Sequence, residues 1–244
     1  MFDKNWKPTL TYPERYEEIG VVDHVLEYLR ASNKRDIVIV DIGCSTAVAT
    51  KQLKNMLDNS GIKNRTIGID LSQTVREEAM QNVDLFLNQD VMYVDSTLYP
   101  ADIVICCNMI FYLNHLKKAE VISKCSQFMK DDSVLITNTP LFEQPSDYAQ
   151  LKLFLRDYVP VMLTIFYNPK RFYGRYKETE SIRVKRRMFS FHGKNEAVAY
   201  AGRIITSWEN LPLGQKFGWY IEMARAQFLT KVRRLKPRSK KRKF

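Results

Sequence analysis

The chain has 244 residues, 45% hydrophobic and 12% aromatic, with a formal net charge of +11 at pH 7. That length can bury a full core in one domain, and the apolar fraction excludes wholesale disorder. The charge favours an anionic partner (nucleic acid, an acidic protein or an anionic membrane surface) and says nothing about fold. No run approaches ~18 consecutive apolar residues, so no membrane span is expected. The start, Met1 to Trp6, lacks the apolar core of a signal peptide. Cysteines 44, 106, 107 and 125 form no C-x-x-C pair. Neither a metal site nor a disulfide framework is expected, and the simple inference is a cytoplasmic protein.

In chain order, residues 1–15 carry Pro8 and Pro13 and read as an extended arm. Tyr16 to Arg30 reads as one covering helix, with Ile19, Val22, Val25, Leu26 and Leu29 on an apolar face. The run Ile37 to Val40 is β-branched without interruption and predicts a strand buried on both faces. It ends in Asp41, then in the small residues Gly43, Cys44, Ser45 and Ala47, and Lys51 to Leu57 opens a helical pattern. Strand, tight small-residue turn and helix form the first unit of a nucleotide-type α/β fold. The turn is no dinucleotide fingerprint, because Ser45 and Val48 stand where glycines are needed. Nor is it a phosphate-binding P-loop, because no Gly-Lys-Ser/Thr follows.

Thr66 to Ser72 predicts a second strand with Asp70 at its tip, and Ser72 suits the cap of a helix over 73–82. An acid in that place can accept both hydroxyls of a ribose. Val83 to Asn88 predicts a third strand, followed by Asp90 and Val91. Asp102 to Cys107 predicts a fourth, fully buried strand, then a loop with Asn108 and Tyr112, then a helix from Asn114 to Met129. Lys130 to Ser133 reads as a turn and Val134 to Thr137 as a fifth strand. The regular β-α repeat predicts a doubly wound, mostly parallel sheet with right-handed crossovers, whose ligands sit beyond the carboxyl ends of the strands. Asp41, Gly43, Asp70, Asp90 and Asn108 would all fall on that edge.

The run Asp41-x-Gly43-x-Ser45-x-Ala47 resembles the first motif of class I S-adenosylmethionine (SAM) dependent methyltransferases, usually D-x-G-x-G-x-G. Asp70 after its strand is similar to that family's second motif. Asp90 with Val91 is similar to the pair that takes the adenine. The resemblance implies a Rossmann-like methyltransferase fold and SAM as cofactor. It implies cofactor-binding roles for Asp41, Gly43, Ser45, Asp70, Leu71, Asp90, Val91 and Asn108. Asn108 and Tyr112 are the catalytic candidates, with His115 a weaker one. The stretch Cys106 to Tyr112 and the run Gly43 to Thr46 are also similar to chemotaxis-receptor glutamate methyltransferases, but that subfamily's N-terminal helical domain is not evident. Only the superfamily carries over.

Past Thr139 the likeness fades. Gln150 to Phe166 is apolar and aromatic and reads as one or two helices over the cleft. Lys170 to Arg187 holds eight basic residues among Phe172, Tyr173 and Tyr176, a mixture suited to phosphate contacts and base stacking. Met188 to Phe191 and Arg203 to Ser207 read as terminal strands, and Phe217 to Leu235 as a closing helix. Every charge beyond Thr230 is positive, from Lys231 to Lys243. That tail reads as disordered when alone and able to grip a polyanion. The expected organisation is an arm and covering helix (1–34), a SAM-binding domain (35–229) and a basic extension (230–244). The expected activity is methyl transfer to RNA or another polyanion. Open alternatives are a small-molecule or protein carboxylate methyltransferase, and a catalytically silent RNA- or protein-binding subunit. Tyr173 and Lys177 match a short-chain dehydrogenase pair, but the failed glycine fingerprint stands against that reading.

Overall fold

In a computed structural model the described residues are 12–110, 113, 115–138 and 188–210. They build one six-stranded sheet flanked by helices. The chain opens with a single helical turn, α1 (Arg15–Glu18), and α2 (Val21–Ser32). The one helix expected over 16–30 is thus two. Gly20 stands between them at φ 85°, a left-handed conformation that a helix cannot pass through. Next come β1 (Asp36–Ile42), α3 (Val48–Asn59) and β2 (Lys63–Ile69). The helix expected over 73–82 is a 3₁₀ turn, Gln73–Val75, followed by the short α4 (Arg76–Met80). Ser72 does cap it, its hydroxyl accepting from the Thr74 amide at 3.3 Å.

The second half holds β3 (Leu85–Leu87), β4 (Ala101–Cys106), α5 (His115–Phe128), β5 (Met129–Thr137), β6 (Phe189–His192) and α6 (Lys194–Asn210). The expected turn at 130–133 lies inside β5. There the register slips between Ala101↔Met129 and Ile103↔Val134, so the polar residues are absorbed as an irregularity in the ladder. The strand expected over 203–207 is helix instead. Its β-branched residues invite a strand, but Ala197, Tyr200, Ala201 and Ile204 are buried at helical spacing. Tyr200 stacks on Phe191 of β6 at 4.1 Å, which locks α6 onto the sheet.

The strand order is β3-β2-β1-β4-β5-β6, parallel except for β6 against β5. The chain works outward from β1 to one side, then returns to β4 on the other. The direction therefore reverses between β1 and β4, which opens a crevice at their carboxyl ends. Alternation along β1 divides the core: Ile37 and Ile39 pack with α2 and α3, and Val40 and Ile42 face the layer that contains α5 and α6. Fully burying each such side chain stabilises the fold by about 2 kcal/mol. No helix among the described residues is long and apolar enough to cross a membrane. Tyr112, the aromatic segment 150–166, the basic segment 170–187, the helix expected over 217–235 and the tail all lie outside the described residues, and so does the side chain of His115.

Candidate active site

The turn after β1 is built on left-handed backbone. Gly43 has φ 75°, Ser45 57° and Ala47 56°. These are the positions where the resembled motif has three glycines. The chain keeps the conformation after losing two of the glycines, at a cost of roughly 1–2 kcal/mol for each non-glycine residue so held. Gly43 cannot change in the same way. A Cβ there would lie 2.9 Å from Cβ of Met109, so the turn after β1 and the turn after β4 touch at this point. Gly68 in β2 serves a related need, because a Cβ on it would lie 2.8 Å from Sγ of Cys44. The Gly43 amide donates to the carbonyl of Ile69 at 2.8 Å, tying the turn to the end of β2.

Asp70 bridges two loops. Its Oδ2 accepts from the Ser45 amide at 2.9 Å and its Oδ1 from the Ser72 amide at 2.8 Å. Burial raises its pKa, against the pull of those two amides. Leu71 beside it is half-buried. Asn88, after β3, donates to the carbonyls of Asp70 and Ser72 at 2.9 and 3.1 Å. Asp90 caps the 3₁₀ turn Val91–Tyr93 by accepting from the Met92 amide at 3.0 Å, and Val91 is buried. Asp70, Leu71, Asp90 and Val91 thus follow β2 and β3, on one side of the crevice.

Asp41 is 1% exposed and already engaged. Its Oδ2 accepts from the Tyr16 hydroxyl at 2.6 Å and from the Thr50 hydroxyl. Burial pushes its pKa up to about 6, against those two hydrogen bonds, and the Asp70 charge adds to the rise. The same burial raises the Tyr16 phenol well above its ordinary value. Asp41 therefore anchors α1 and α3 to the end of β1.

Asn108 follows β4 at φ 60°, again left-handed. Its amide donates to Oδ1 of Asn138 at 2.7 Å, and its Oδ1 accepts from Nδ2 of Asn138 at 3.0 Å and from Nη2 of Arg15 at 3.3 Å. The carbonyl oxygen that would receive from a methyl acceptor thus already has two donors. Arg15, Tyr16, Thr50, Asn88 and Asn138 were not legible as site residues. Asn138 lies directly after the β5 run, a position that could have flagged it. In sequence Arg15 closes the extended arm and Tyr16 opens the covering helix, and neither is set apart.

Three buried polar atoms beside these loops have no hydrogen-bond partner among the described residues: Oγ of Ser45, Oγ1 of Thr46 and Oδ1 of Asn88. Buried polar atoms rarely stay unsatisfied. With the close backbone at Gly43 and the carboxylate of Asp70, they fit a small ligand with hydroxyl and amino groups, as an adenosyl amino acid has.

A family model described as a methyltransferase domain matches residues 39–132, which run from β1 into β5. No curated protein matches the chain. Among solved structures, magnesium protoporphyrin IX methyltransferase from Synechocystis with bound SAM is similar at 18% identity, over 58% of this chain and 71% of that one, with a TM-score of 0.41. A SAM-dependent methyltransferase from Clostridium acetobutylicum shares 22% identity over 49% of this chain and 50% of its own, with a TM-score of 0.40. The N-methyltransferase NodS from Bradyrhizobium japonicum, bound to S-adenosyl-L-homocysteine (SAH), shares 16% identity over 50% of this chain and 61% of its own, with a TM-score of 0.39. The alignment thus spans half the length of the Clostridium protein.

Proposed function

We propose that this chain, whose residues 39–132 match a methyltransferase-domain model, is a SAM-dependent methyltransferase whose methyl acceptor is RNA or a similar polyanion. The observation that supports the cofactor site best is the bond from the Ser45 amide to Asp70, which brings the two motif-bearing loops together at the carboxyl edge. In this reading Asp70 takes the ribose hydroxyls, and Asp90 with Val91 takes the adenine. Gly43 lets the ligand approach the backbone, and Ser45 and Thr46 give their unpartnered hydroxyls to it. Bound SAM supplies an electrophilic methyl group on a sulfonium. The chain's own task is then alignment and exclusion of water rather than covalent help. Asn108, with Asn138 behind it, stands at the crevice to orient the acceptor; Tyr112, the other catalytic candidate from the sequence, lies outside the described residues.

The charge supports the acceptor class. The formal excess of +11 is concentrated in sequence at Lys170–Arg187 and Lys231–Lys243, segments suited to a phosphate backbone. Labelled SAM offered with total RNA, a protein extract and a metabolite pool tests this directly. Label is expected in RNA. Label only in protein or small molecules would replace the acceptor class, and none in any pool would make the chain a binding subunit. Deleting the residues after Thr230 should weaken RNA binding and flatten its salt dependence; unchanged affinity would remove the tail from the interface.

A further inference from the structure

We infer that Arg15 holds the carboxylate at the amino-acid end of the cofactor, an assignment that rests on the SAM reading of this edge. The first observation is its placement. Tyr16, the next residue, is fastened to Asp41, two residues before Gly43. Arg15 itself reaches Asn108, and Met109 beside it packs against Gly43. Arg15 therefore spans the mouth of the crevice between β1 and β4, where the strand order reverses. The second observation is its charge. Arg15 is half-buried, and its hydrogen-bond partners among the described residues are neutral: the Tyr12 hydroxyl at 3.2 Å and Oδ1 of Asn108 at 3.3 Å. The ion pairs among the described residues include no partner for it.

The third observation is polarity along the edge. Asp70, Asp90 and Val91 follow β2 and β3, so an adenosine held there extends its other end towards β1 and β4. That other end carries a carboxylate. A carboxylate on a guanidinium makes charge-assisted hydrogen bonds about twice as strong as neutral ones. Arg15 would exchange the Asn108 amide oxygen for the carboxylate. The exchange releases one lone pair of Asn108 on the side where an acceptor would sit. The one-turn helix α1, which looks like part of a cover, then completes the cofactor site.

The test compares two ligands on the full-length chain by calorimetry: SAH, which has the amino-acid end, and 5′-methylthioadenosine, which lacks it. Wild type should prefer SAH. Arg15→Met should weaken SAH by roughly 10- to 100-fold, as expected for loss of a hydrogen bond to a charged group. Methylthioadenosine affinity should change less than about twofold, and Arg15→Lys should restore part of the SAH preference. Equal weakening of both ligands would mark a purely structural role and overturn the assignment. Unchanged SAH affinity with weaker RNA binding would give Arg15 to the acceptor and overturn it as well. If Arg15→Met does not fold, wild type and Arg15→Lys decide: no wild-type preference for SAH, or an undiminished preference in Arg15→Lys, overturns it. A wild type that binds neither ligand defeats the SAM reading itself, a result distinct from all of these.

Discussion

At the amino edge of the sheet, the Asp102 side chain is 3% exposed between Lys34 and Lys130, both at 2.7 Å, and it also accepts from the Val38 amide at 2.9 Å. Burial alone would raise its pKa, but the two ammonium groups and the amide hold it below the usual carboxylate range. Asp84, before β3, is held low in the same way, by the Thr66 amide and by Lys54 at 3.0 Å. At the carboxyl edge the carboxylates face the opposite environment. Asp41 is buried and Asp70 half-buried, neither has a cation bonded to it among the described residues, and both have raised pKa values. The same edge holds the four left-handed residues Gly43, Ser45, Ala47 and Asn108 and the orphaned hydroxyls of Ser45 and Thr46. One edge has its charges compensated and supports the fold. The other leaves two carboxylates without a cation among the described residues, beside a strained turn; left-handed backbone and orphaned polar atoms occur at the amino edge too, at Asn33, Gly61, Ser32 and Asn64, so the edges differ in charge compensation.

Five substitutions would break or sharpen that contrast. Asp102→Ala should cost the most, about 3 kcal/mol, because it removes the acceptor of Lys130 and of the Val38 amide and one of the two carboxylates that hold Lys34. Denaturant unfolding measures it, and SAH affinity should not change; a selective loss of SAH binding would erase the difference between the edges. Asp41→Asn should show the opposite pH sign. The folded pKa of Asp41 is about 6, above the unfolded value, so wild type holds its extra proton tightly at low pH and loses stability as pH rises. Between pH 4 and pH 7 the variant should gain about 2 kcal/mol on wild type, most of the shift at about 1.4 kcal/mol per pKa unit. Asp102 acts the other way: its contribution is present above the unfolded carboxylate pKa and is lost as pH falls through its lowered value. A flat Asp41→Asn difference curve would mean that its burial does not govern its charge.

Asp70→Ala should weaken SAH roughly 30-fold, about 2 kcal/mol, and cost about 1 kcal/mol in stability through the Ser45 and Ser72 amides. Unchanged affinity would remove Asp70 from the site. The smallest effects belong to Ser45→Gly and Ala47→Gly. Each should stabilise the fold by about 1 kcal/mol or less, since strain is relieved while the unfolded chain gains freedom. Destabilisation by both would show that the left-handed turn is not strained.

The parallel core was legible because its signal is local. The β-branched run at 37–40, Asp70 at a strand tip and the buried run at 102–107 each state an element within a few residues. The left-handed backbone at Ser45 and Ala47 was hidden, because their side chains disguise a conformation that glycine would have announced. At Asp41 the sequence shows the acid but hides the Tyr16 and Thr50 hydroxyls that meet it. Residues 203–207 misled for a related reason, since β-branched composition outweighed the four-residue spacing of Ala197, Ala201 and Ile204. Arg15 was invisible because its role depends on a turn at Gly20 and on a partner 93 positions away.

The most direct measurement is a crystal structure of the full chain soaked with SAH. The adenosyl group is expected beyond the carboxyl ends of β1 and β2, with its ribose hydroxyls bonded to Asp70 and its tail in the crevice before β4. SAH bound at the amino edge near Asp102, or bound at the carboxyl edge with Asp70 making no contact to it, would contradict the assignment of this edge as the cofactor site.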